Sequence, residues 1–228
     1  MEERSVRIRA HAHLLDGDLR VPAQARGLVL FAHGSGSSRL SPRNRFVADV
    51  LNEGGLATLL IDLLTPAEEQ IDDVTAELRF DIAFLALRLM DVTRWIAQQD
   101  LMPRGSGLGL FGSSTGAAAA LVAAAELGSL VAAVVSRGGR PDLAAEALPD
   151  VTAPTLLIVG GRDSEVLALN RHALAQLECP KHLEIIAGAT HLFQEPGALT
   201  RVATLARDWF LEHLAAESML RPEPAAPQ

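Results

Sequence analysis

Six short apolar runs recur along the chain with segments of helical period between them. They are "LVLFA" from residue 28, "ATLLI" from 57, "GLGLF" from 107, "LVAAVVS" from 130, "PTLLIVG" from 154 and "HLEIIA" from 182. Continuous apolar runs of this length suit strands that are covered on both faces, where alternation of apolar and polar residues has no purpose. Helices are expected near 42–54, 72–99, 115–127, 164–178 and 197–214. In the longest of these, Val74, Leu78, Ile82, Leu85, Leu89, Val92 and Ile96 mark one apolar face. Strand and helix therefore alternate, which predicts an α/β fold with a mostly parallel central sheet and helices on both faces.

The first twenty residues differ. They read as strands over 5–11 and 13–21 that close near "DGD" and form an antiparallel edge. At 228 residues and 49% hydrophobic content the chain can bury one sizeable core. A single domain is expected over 1–216, followed by a disordered tail over 217–228, where "RPEPAAPQ" is proline-rich.

The formal net charge of −8 has the wrong sign for neutralising a nucleic acid backbone. No segment reaches the roughly 18 uninterrupted apolar residues of a membrane-spanning helix. The charged start "MEERSVRIRA" lacks a secretory apolar core, and Cys179 is a lone cysteine. A cytoplasmic protein without nucleic acid or membrane partners is the expectation, and its oligomeric state is left open.

The stretch "GLFGSSTGAAAAL", 109–121, carries the strongest chemical signal. Only Ser114 has glycines two residues away on both sides, Gly112 and Gly116, as a sharp strand-to-helix turn with an exposed serine requires. The N-terminus of the following helix favours negative charge beside that hydroxyl. A serine nucleophile needs a base, and the base needs an acid to hold its tautomer. His191 in "GATHLF" and Asp163 in "LLIVGGRD" each fall just beyond a strand and complete the chain order serine, acid, histidine. Among other acids, Asp62 also ends a strand and Glu165 lies two residues from Asp163. Among other histidines, His182 starts its strand, His172 and His213 fall in helices, and His11 and His13 belong to the hairpin. Only His33 shares the catalytic edge, and it reads as a loop-organising hydrogen bonder. The loop "HGSGSS" that it opens can aim backbone N–H groups at a developing oxyanion, so the amides of Thr115 and Ser35 are the expected hole.

Other constellations are weaker. "GLGLFG" matches GxGxxG but occupies a strand rather than following one. His11 and His13, two apart, have no third metal ligand near them in sequence, so no metal site is expected. Cys179 reads as structural. Arg39, Arg43, Arg45, Arg137 and Arg140 fall near the catalytic edge. They either cap helices and pair with Glu68 and Glu69, or bind a substrate anion, for which Arg43 and Arg137 are the candidates.

Taken in order, "HGSGSS", "GLFGSSTGAAAAL", "SRGGRPD", "LLIVGGRD" and "GATHLF" resemble the α/β-hydrolase superfamily, and within it the dienelactone hydrolase-like branch, over roughly residues 25–214. The resemblance implies a sheet of about eight strands, a Ser114, Asp163 and His191 triad, and hydrolysis of carboxylic ester-type bonds with no metal or organic cofactor. It departs from the namesake enzymes, which use cysteine where this chain has Ser114. A small-molecule ester, lactone or thioester is the expected substrate, anionic if the arginines bind it. A non-catalytic ligand-binding protein, a peptidase and an acyltransferase are the alternatives. No large lid is expected, and the mouth is open or covered only by the loop near "LLTPAEEQ".

Overall fold

The computed structural model describes residues 1–99, 101 and 105–214. The expected tail over 217–228 lies outside these residues. Within them, eight strands form one sheet in the order β1-β2-β4-β3-β5-β6-β7-β8. The strands are β1 (Glu2–Ala10), β2 (His13–Val21), β3 (Leu28–Ala32), β4 (Ala57–Ile61), β5 (Leu108–Ser113), β6 (Ala133–Arg137), β7 (Thr155–Gly160) and β8 (Lys181–Ile186). β2 pairs antiparallel with both β1 and β4, and every other pairing is parallel. The expected α/β architecture and antiparallel edge are present.

Burial explains the runs. β3, β4, β5, β6 and β7 are buried at every residue, because helices cover both faces of the sheet centre. β8 is the exception. As the last strand it is exposed or half-buried until Ile186, although its sequence reads like the others.

The helices are α1 (Pro42–Glu53), α2 (Pro66–Thr75), α3 (Ile82–Ala97), α4 (Thr115–Leu127), α5 (Ser164–Gln176) and α6 (Ala198–Leu214). α1 and α6 pack on one face with Val29, Phe31, Phe111 and Val135 of the sheet. α3 and α4 cover the other, where Ala118, Ala119, Ala120 and Leu121 lie against Leu30, Leu110 and Val134. The alanines let α4 approach the sheet closely, as bulkier side chains would not.

Four expectations fail for local reasons. "DGD" is no turn: Gly17 sits inside β2 opposite Val6 and Ile61, and the hairpin closes at His11 and Ala12. A Cβ on Gly17 would press within 3.3 Å of Leu59, Val6 and Ile61, so the glycine makes room between strands. His11 adopts a left-handed φ of 50° in that turn, and its ring bonds Asp91. His11 therefore lies in the turn and not in the strand expected over 5–11.

The expected helix over 72–99 is two helices and a 3₁₀ turn. Ala76 takes φ 56° and ends α2, Leu78–Phe80 form the turn, and Asp81 caps α3. Val74 is 87% exposed, so the apolar face begins only at Ile82. "LLTPAEEQ" in turn is no loop. Thr65 and Glu68 form a reciprocal capping box and Pro66 opens α2. A 3₁₀ segment over Pro141–Asp150, not expected from the sequence, follows β6.

Candidate active site

Ser114 stands between the end of β5 and the start of α4 with φ 52° and ψ −122°, a conformation that costs on the order of 1–3 kcal/mol for a residue with a side chain. Three glycines make the turn sterically possible. A Cβ on Gly116 would lie 2.3 Å from the His33 carbonyl oxygen, one on Gly112 2.3 Å from Ala117 Cα, and one on Gly34 2.9 Å from Ser114 Cβ. Hydrogen bonds lock the bend: Ser114 N–H donates to Arg137 O at 3.3 Å, and Ser114 O accepts from Ala117 and Arg140. Ser113 points inward, 2% exposed, with its hydroxyl toward Ala32 O. The two serines of "GSST" thus have opposite surroundings.

His191 and Asp163 come together from the loops after β8 and β7. His191 Nδ1 lies 2.7 Å from Asp163 Oδ2, so Nδ1–H donates to the carboxylate and the Nε2 lone pair is free to act as a base. The ring is 39% exposed. It rests against Gly138, where a Cβ would stand 3.5 Å from both Cε1 and Nδ1. Gly138 adjoins Arg137, whose carbonyl holds Ser114, so the imidazole and the serine share one support. Among the described residues the Ser114 hydroxyl has no hydrogen-bond partner.

The competing groups are otherwise engaged. Asp62 accepts from the Arg39 amide at 2.7 Å and from its guanidinium. Glu165 lies in the first turn of α5. His33 is buried; Leu63 N–H donates to its Nε2 at 2.9 Å and its Nδ1–H donates to Gly34 O at 3.0 Å. One ring nitrogen serves its own loop and the other the segment after β4, and burial lowers the imidazole pKa below its ordinary value, so the ring stays neutral. This is the organising role expected of it.

That loop carries Gly34 over Ser114 and sets Ser35 Oγ 3.1 Å from Thr115 Oγ1. Ser35 and Thr115 therefore flank Ser114. Among the described residues neither of their amides donates a hydrogen bond. Both residues line a cleft with His33, Leu63, Asp72 and Arg79. The sequence reading offered a covering segment here but took it for a loop; it is helix α2. The capping pattern T-P-A-E at 65–68 was the available signal.

The arginines divide. Arg39 pairs with Asp62 and Asp18, Arg45 with Asp18, and Arg140 with Asp142. None reaches Glu68 or Glu69; Glu68 is held instead by Arg88 at 2.6 Å. Among the described residues Arg43 and Arg137 form no ion pair; Arg137 reaches Asn44, the neighbour of Arg43 on α1, and the Arg43 charge helps to lower the Arg137 pKa. Cys179 is buried and unpaired, and burial raises its thiol pKa, in keeping with a structural role. The described residues contain no group of three or more potential metal-ligating side chains. Among them, no helix is long and apolar enough to cross a membrane.

Comparison with known proteins gives a family and a fold. Residues 46–213 match the model of the dienelactone hydrolase family. A crystal structure of dienelactone hydrolase from Anabaena variabilis is 57% identical, covers 93% of this chain and 98% of that one, and superposes with a TM-score of 0.90. Est1E from Butyrivibrio proteoclasticus, at 17% identity, shares the fold with a TM-score of 0.76 over 92% of this chain and 98% of its own. Two Mycobacterium tuberculosis proteins carrying the provisional name phosphoribosyl transferase are 58% identical over 200 residues, 87% of this chain. The match spans 44% of their length, so the chain covers less than half of these relatives.

Proposed function

Because the chain belongs to the dienelactone hydrolase family and is an α/β hydrolase, we propose that it cleaves carboxylic esters, lactones or thioesters of small molecules through a serine acyl-enzyme. The observation that carries this reading is the His191–Asp163 pair at 2.7 Å, seated on the same Arg137–Gly138 segment that holds the Ser114 backbone.

In this mechanism His191 Nε2 takes the Ser114 proton as Oγ attacks the carbonyl carbon. Substrate closes the hydroxyl-to-imidazole hydrogen bond, as catalytic contacts commonly tighten only in the Michaelis complex. The tetrahedral oxyanion is held by the Ser35 and Thr115 amides, with the α4 N-terminus behind them. His191 then gives the proton to the leaving oxygen or sulfur, and the acyl group stays on Ser114. Water enters, loses a proton to the same nitrogen and releases the carboxylic acid, after which Ser114 regains its hydrogen. Asp163 remains ionised and fixes the tautomer throughout.

The provisional transferase name of the Mycobacterium relatives attaches to proteins more than half of which lies outside the shared segment. A histidine backed by a carboxylate beside a strained serine is an arrangement for making a nucleophile, which favours hydrolysis for this segment. A fluorophosphonate probe tests the reading. Mass spectrometry should find the label on Ser114, and both Ser114→Ala and His191→Ala should abolish it. Absence of label in folded protein would instead favour the ligand-binding alternative.

A further inference from the structure

Two guanidinium groups near this site, one buried and one half-buried, have no counter-charge among the described residues. Arg137 ends β6 on the sheet face of Ala133 and Val135, turned toward α1, and is 8% exposed. Its NH2 donates one long 3.4 Å bond to Asn44 Oδ1, its buried Nε has no acceptor, and its guanidinium lies 6.0 Å from the centre of the Phe193 ring. Arg43, in the first turn of α1, is half-buried, and its Nε is likewise buried without an acceptor. Among the described residues neither arginine forms an ion pair, whereas Arg39, Arg45, Arg79, Arg88 and Arg140 at the same sheet edge all do.

The electrostatics are one-sided. Burial lowers the Arg137 pKa to about 10, Arg43 lowers it in the same sense, and no acidic group opposes them. The side chain is still charged at neutral pH, next to a second positive charge and the positive end of α1. Structural arginines are buried with carboxylates. Two together without one are arranged for an anion from outside.

The location ties the pair to the reaction site. Arg137 O holds Ser114 N–H, Gly138 carries the His191 ring, and Phe193 is two residues beyond His191. We infer that Arg43 and Arg137, with Asn44 orienting the latter, bind a doubly charged oxyanion of the phosphate-monoester class as part of the substrate, on the α1 side of Ser114. Two guanidiniums match two negative charges, where a carboxylate would leave one unbalanced. The assignment to substrate rests on the reading of Ser114 as nucleophile; the anion site does not.

Titration calorimetry of inorganic phosphate into the intact protein tests the site, with Arg43→Gln, Arg137→Gln and the distant Arg20→Gln as comparisons. Affinity should fall at least about tenfold in both site variants, the loss of one charge-assisted contact, and hold in Arg20→Gln. Acetate should bind more weakly than phosphate. Phosphate should also slow fluorophosphonate labelling of Ser114 in the wild type and not in Arg43→Gln. No binding, equal binding by all four proteins, or acetate binding as tightly as phosphate would overturn the assignment. Arg43 lies half-buried on a helix turn, so Arg43→Gln keeps the test decisive should Arg137→Gln not fold. Phosphate binding that needs the arginines, in protein that the probe never labels, would uphold the anion site and reject its link to the serine.

Discussion

The two flanks of Ser114 handle positive charge in opposite ways. On the α2 side Arg79 is held by Asp72, tying the 3₁₀ turn to α2, and Arg88 of α3 by Glu68 and Leu63 O, tying α3 to α2 and to the segment after β4. On the α1 side Arg43 and Arg137 have no carboxylate among the described residues; Arg137 makes only a long bond to Asn44, and both Nε donors lack acceptors. Charges on the first flank are neutralised within the chain and contribute to folding. Those on the second are costly until a ligand arrives, and such a cost persists where binding needs it.

Both flanks meet at Ser114, and the largest effect is expected there. Ser114→Ala should lower kcat on any cleavable ester by about 10⁴-fold or more, measured at saturating substrate. Retained turnover would detach both flanks from a common reaction.

The flanks themselves are separated by the sign of a stability change. Arg88→Met strands Glu68 and should destabilise by about 3 kcal/mol in urea unfolding, since breaking a buried pair leaves one charge uncompensated. Arg137→Met removes a buried charge that has no partner. It should stabilise the anion-free protein by about 1 kcal/mol, raising Tm by about 2–4 °C. Destabilisation by both would break the comparison.

The smallest effects are in the acid range. Glu68 is partly buried, yet hydrogen bonds from Arg88 and Thr65 outweigh that burial and lower its pKa from 4.5 to about 2. The folded carboxylate resists protonation, so its contribution is fully present above about pH 4.5 and is lost as pH falls through about 2. Glu68→Gln should flatten that part of the stability profile. Burial lowers the folded pKa of His33 below 6.5, so the unfolded chain takes the proton first and stability declines as pH drops below about 6.5. His33→Gln should remove this decline. The Arg43–Arg137 flank should contribute to neither segment, because among the described residues neither arginine pairs with a carboxylate or an imidazole.

Much of the site was legible because its constraints are local. Gly112, Ser114 and Gly116 announce a strand-to-helix turn whatever surrounds it, and Asp163 and His191 are found by looking just past the end of a strand. Gly17 misled because a glycine between two aspartates reads as a turn, while its use here is clearance from β1 and β4. Val74 misled because it continues a spacing that Ala76 interrupts. The arginines were legible as a group near the edge. Which of them would find a carboxylate was not, since Asp18 reaches Arg45 across 27 positions and Asp62 reaches Arg39 across 23.

By itself the sequence determined the features set by short-range sterics and by apolar period: buried parallel strands, the helices that cover them, and the serine turn with an acid and a histidine after later strands. Only the tertiary structure decided the pairings between distant side chains. It gave Asp163 to His191, tied His33 to the Leu63 amide, made a wall of α2, and left Arg43 and Arg137 without a carboxylate partner among the described residues. The reason is physical: a strand or a turn is specified by neighbours a few residues away, while the partner of a charge is whatever the packed helices and loops bring within hydrogen-bond reach.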